Sequence, residues 1–128
     1  MNSMDTQIKS FRDLVVWQKA MDLVELVYAI TKQFPSDERY ALTSQIKRAS
    51  VSVPSNIAEG YGRHSTADYI RFLQIALGSL YELQTQLVLA SRLEFIEKSS
   101  IDNADRLCSE VEKMLVVLIK KLNARTSR

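Results

Sequence analysis

An all-α chain folded as an antiparallel up-down-up-down four-helix bundle is what this sequence predicts. Three observations lead there. Apolar residues recur at alternating steps of three and four along four separate stretches, the spacing of one face of a helix. Only three glycines and two prolines occur in 128 residues, too few turn formers for a many-stranded fold. The stretches are separated by short polar connections, which sets successive helices side by side. A chain of this length is most simply one domain, with residues 1–10 a flexible N-terminal segment, 11–123 the bundle and 124–128 a basic C-terminal tail.

Asp13 is a suitable N-cap, so the first helix is expected to begin near Leu14. Its seam reads Trp17, Ala20, Val24, Val27, Thr31 and Phe34, and Val16, Leu23, Leu26 and Ile30 add a second apolar edge. Pro35 ends it, because the residue before a proline is pushed out of helical geometry. Ser36 and Asp37 can cap a second helix from about Glu38 to Tyr61, bent modestly at Pro54 and stopped by Gly60 and Gly62. Ser65 caps the third helix, whose seam of Tyr69, Leu73, Ala76, Leu80, Leu83, Leu87 and Ala90 runs without a break. Ile70, Leu77, Tyr81 and Val88 give it another apolar edge, and Gly78 with Ser79 thins its middle for a close neighbour. Leu93, Phe95 and Ile96 are expected to tuck against the bundle end. Ser99 or Ser100 opens the fourth helix, with the seam Ile101, Ala104, Cys108, Val111, Leu115, Leu118 and Leu122, and fraying is expected after Asn123. One bundle core needs one stripe per helix, so the surplus edges of the first and third helices point to an oligomer interface or to broad core stripes.

The second helix carries the most unusual combination. Arg48, Ser52, Asn56, Glu59 and Arg63 fall in one narrow polar stripe, beside an apolar stripe of Leu42, Ile46, Ala49, Val53 and Ile57. Three readings of the polar stripe compete: a network within or between subunits, a nucleic-acid surface using Lys47, Arg48, Arg63 and Arg71, and a catalytic site. Composition offers little for catalysis. His64 has no second histidine or cysteine at metal-ligand spacing, and Gly60 and Gly62 are not followed by a phosphate-loop pattern. No serine sits in a nucleophile elbow, and Glu59 has no second carboxylate at helical spacing. Cys108, the one cysteine, lies on an apolar stripe as a small core residue. No catalytic residue, metal site or cofactor is therefore expected. The N-terminus lacks the apolar core of a signal peptide and no apolar run is long enough to span a bilayer, which points to a cytoplasmic protein without a membrane partner.

The net charge of +2 says little by itself, but its distribution is uneven. After Glu112 no acidic residue occurs, while Lys113, Lys120, Lys121, Arg125 and Arg128 follow. Lys47, Arg71, Lys120, Lys121 and Arg125 are the candidate phosphate contacts, and the polar stripe the candidate assembly surface.

FRDLVVWQKA near the start, LTSQIKRASVSVPSNIAEGYGR in the second helix and FLQIALGSLYELQTQL in the third resemble the 23S ribosomal RNA intervening-sequence protein family. Matching positions include Trp17, Gln45, Arg48, Pro54, Asn56, Glu59, Gly60, Arg63, Gly78 and Glu82; Asp68 departs from the glutamate the family often has, which touches a cap and not the fold. The resemblance spans Phe11 to about Leu122. It implies a homopentameric ring of four-helix bundles without enzymatic activity. It also implies similarity to the accessory variability protein of diversity-generating retroelements, which binds nucleic acid and a reverse transcriptase. Residues and resemblance together point to a non-enzymatic homo-oligomeric scaffold contacting RNA or another nucleic acid. The alternatives are an accessory subunit of a reverse transcriptase and a hydrolase dependent on Glu59.

Overall fold

The computed structural model describes residues 7–126, and within them the chain is helical without a strand. Four long helices, α1 (Val15–Thr31), α2 (Leu42–Tyr61), α3 (Thr66–Arg92) and α4 (Lys98–Thr126), form a four-helix bundle. Each packs on two neighbours: α1 on α2 and α4, and α3 on α2 and α4. The enclosed core contains Leu23, Ile46, Ile57, Leu73, Leu80, Leu83, Leu87 and Leu115, all fully buried. Burial of such a side chain contributes roughly 1.5–3 kcal/mol, so these few residues alone outweigh any surface contact in the bundle.

The seams of α3 and α4 match the sequence pattern closely, with only Tyr69 and Leu118 left half-buried at the margins. In α1 the buried line is instead Val16, Ala20, Leu23, Val27 and Ile30, while Trp17 and Val24 stand on the α2 side, half-buried. Two apolar edges one residue apart satisfy the same helical period, and the neighbours decide which one turns inward.

Helix starts differ from expectation for identifiable reasons. Asp13 does not cap α1; its carboxylate accepts from the Lys9 and Ser10 amides at 2.8 and 3.2 Å and closes a capping box with Ser10 on a 3-10 turn, Phe11–Asp13. These amides hold its pKa below the usual value. Ser36 and Asp37 likewise enter a 3-10 turn, Ser36–Glu38, and α2 begins only after Ala41 leaves helical geometry. Glu38 Oε1 then accepts from the Leu42 amide at 3.3 Å. Ser65 caps α3 as its sequence suggests, accepting from the Asp68 amide at 3.1 Å.

Pro54 is buried and lies inside α2 without breaking it. Gly60 is not a stop but the point of closest approach to α3: a Cβ there would lie 2.7 Å from Phe72 Cβ and 3.3 Å from the Tyr69 carbonyl. Gly78, where a close neighbour was expected, faces open space and is exposed. At the far end of α3, Glu94 adopts φ 61° and the Phe95 amide donates to Ala90 O, closing the helix with a left-handed residue. Ile96 is buried and Phe95 meets Phe34 with tilted rings, 5.6 Å between centroids, whereas Leu93 stays exposed. The last helix runs through Thr126 rather than fraying after Asn123.

Candidate nucleic-acid interface

The polar stripe of α2 resolves into three separate sets of bonds. Arg48 Nη2 donates to Ser44 Oγ at 3.1 Å and not to Ser52, because a guanidinium on a helix reaches back a turn as readily as forward. Asn56 Nδ2 donates to both the carbonyl and the hydroxyl of Ser52, at 2.8 and 2.9 Å, and Ser52 Oγ lies 2.8 Å from Ser79 Oγ on α3. In this half-buried trio the Ser52–Ser79 contact joins α2 to α3 by a hydrogen bond. Arg63 pairs with Glu59 at 3.0 Å on the exposed end of the helix.

Around that end the close approach at Gly60 brings α2 onto Phe72. The Arg63 and Arg71 guanidinium groups both lie against the Phe72 ring, 4.5 and 4.7 Å from its centroid. Arg71 also meets Asp68 at 3.7 Å. Tyr69 stands beside them, its phenol pushed up mainly by burial and next by Tyr61, while the charge of Arg125 pulls it down. Arg71 and Arg125 therefore belong to one end of the molecule.

Lys47 lies elsewhere. Its ammonium sits 4.8 Å over the ring of Tyr28, inside a cleft of about 630 Å³ at the start of α2. Arg39, Tyr40, Ser44 and Arg48 complete its working surface, and among the described residues no carboxylate lines it. Tyr40 is 89% exposed. Lys120 and Lys121 are exposed on α4, one turn ahead of Arg125; Lys121 and Lys113 flank an apolar groove of about 390 Å³ between α1 and α4, floored by Val15, Val16, Met114, Val117 and Leu118. Of the five cations singled out from the sequence, Lys47 thus stands apart from the other four, and the five do not form one patch. Sequence reasoning passed over Tyr28, Arg39 and Tyr40, which come from α1 and the α1–α2 connection. Their one legible signal is an exposed-type Arg-Tyr pair just ahead of a basic helix start.

The chemistry these regions offer is cationic and aromatic contact. Among the described residues no group of three His, Cys, Asp or Glu side chains could hold a metal ion. Burial pushes the Cys108 thiol up to about 12, leaving it protonated in the core. Tyr81 donates to Glu112 at 2.8 Å, which raises its phenol by holding the proton. No helix of the described chain is long and apolar enough to cross a membrane.

Residues 12–117 match the family described as 23S rRNA-intervening sequence protein. Among solved structures, the chain is similar to a protein of unknown function from the S23 ribosomal protein family of Bacteroides thetaiotaomicron VPI-5482. The two share 27% identity over 82% of this chain and 98% of the other, with a TM-score of 0.76. No curated protein matches the chain.

Proposed function

This chain belongs to the 23S rRNA-intervening sequence protein family, and on that premise we propose a non-enzymatic, cytoplasmic, homo-oligomeric scaffold that contacts RNA or another nucleic acid through basic side chains. The helices run antiparallel, up-down-up-down, in this reading, since short connections between touching helices leave room only for reversal. The oligomer is a ring of five.

The observation that carries the assembly is Gly78. A glycine inside a helix costs about 1 kcal/mol relative to alanine, and among the described residues nothing lies near enough to require one. Ile75 is exposed on the same face and the Ser52–Ser79–Asn56 trio lies beside it. A second copy packing close at Gly78 supplies the missing reason. Light scattering on the purified chain tests this directly. For the nucleic-acid contact, affinity for structured RNA should fall steeply as salt rises, because each phosphate contact releases counterions. Failure to bind at low salt, or binding indifferent to salt, would contradict it.

A second reading, a protein-binding accessory subunit of a reverse transcriptase, is favoured by the apolar groove between α1 and α4 with Lys113 and Lys121 at its rim. Copurification with a reverse transcriptase, lost when Val117 is changed to Asp, would select it.

A further inference from the structure

We infer that the cleft at the start of α2 takes one unpaired nucleotide of a single strand, with the base on Tyr40 and the phosphate among Arg39, Lys47 and Arg48. The inference rests on the nucleic-acid reading above and names the form of nucleic acid and its seat.

Charge supplies the first argument. Among the described residues no carboxylate lies within ion-pairing distance of Arg39, Lys47 or Arg48, and these three cations share one cleft. Arg48 uses Nη2 on Ser44 and keeps further N–H groups for an acceptor. Three cations around one cleft, with no acid on its walls, suit an anionic ligand and disfavour a cationic one.

The aromatic rings narrow the class of anion. Tyr28 already has the Lys47 ammonium over its ring, which fixes that cation at the cleft wall. Among the described residues no ring or cation stacks on Tyr40, which stands 89% exposed at the lip, so its π-face is open to a base. Cations that track a backbone, beside an aromatic face for stacking, are the two components of single-strand recognition. A duplex can offer this cleft its phosphates but not a base, since its bases are already stacked and paired. The cleft is wide and open, so one nucleotide can lie across it with its base on Tyr40 and its phosphate toward the cations.

The test measures binding of the full chain at low salt to a labelled oligouridylate and to an RNA duplex of equal length, with Tyr40→Ala, Tyr40→Phe and Arg39→Gln. Tyr40 is exposed, so neither substitution there threatens the fold. The expected result is a loss of roughly 5- to 150-fold in single-strand affinity for Tyr40→Ala, retention by Tyr40→Phe, and unchanged duplex binding by both. Arg39→Gln should weaken the single strand and flatten its salt dependence. Equal single-strand binding by wild type and Tyr40→Ala would overturn the inference while leaving nucleic-acid binding in place. Competition by polyglutamate as effective as that by oligouridylate would overturn it too, as the mark of a general anion site. Binding to neither RNA would overturn both this inference and the reading beneath it.

Discussion

Replacing Gly60 by alanine should destabilise the bundle even though alanine is the better helix former. The gain in helix propensity is about 1 kcal/mol. Against it, the new methyl would sit 2.7 Å from Phe72 Cβ and 3.3 Å from the Tyr69 carbonyl, where ordinary contact begins near 3.4 Å. Neither atom is the free end of a flexible side chain, so α2 and α3 must part by several tenths of an ångström. Overpacking of this kind costs about 1–3 kcal/mol, and unyielding neighbours place Gly60 in the upper part of that range. The net loss is then about 1–2 kcal/mol, a fall in Tm of roughly 4–8 °C for a chain of this size. Urea and thermal unfolding followed by circular dichroism, at one fixed protein concentration, measure it. An unchanged or higher Tm would refute the reasoning, because the close approach would then be freely relaxed.

The remaining predictions concern the stripe, the N-terminal turn and the basic end. Asn56→Ala removes two hydrogen bonds at the α2–α3 junction and should cost about 1–2 kcal/mol by urea midpoint, whereas Glu59→Ala breaks an exposed pair and should cost under about 0.5 kcal/mol. The pKa of Asp13 is lowered on folding from 3.8, so its stabilising effect is present above that value and fades as pH falls through the folded pKa. An NMR titration should find the Asp13 carboxyl below 3.8, and Asp13→Asn should remove its share of the acid sensitivity. Lys120→Gln, Lys121→Gln and Arg125→Gln together should leave Tm within about 1 °C, since all three are exposed. They should also weaken RNA binding and lower the salt slope by about one for each phosphate no longer neutralised.

What could be read from the sequence depended on how local the determining physics was. Leu73, Ala76, Leu80, Leu83 and Leu87 are all buried where their unbroken spacing puts them, while the second edge of α3 turns outward at Tyr81 and Val88. In α1, Trp17 and Val24 competed with Val16 and Leu23 for the same role, and only the positions of α2 and α4 broke the tie. Asp13 and Asp37 are good caps by composition, yet both fold into 3-10 turns whose hydrogen bonds leave the next helix to start later. The stripe on α2 was visible as a stripe, but its bonding was not: Arg48 turned to Ser44, and Ser79, from another helix, completed the trio. Tyr28 meets Lys47, and Tyr40 shares their cleft, only through the packing of α1 on α2 and the turn between them, an arrangement no spacing rule along one helix encodes.

The central claim is that copies of this chain cover the face around Gly78, and the mass in solution tests it most directly. Multi-angle light scattering should give about 73 kDa for five copies of a 14.6 kDa chain. Gly78→Leu, whose Cβ would meet no atom of the described residues within 4 Å, should keep the helical content and lower that mass. A wild-type mass of 14.6 kDa at micromolar concentration would contradict the account.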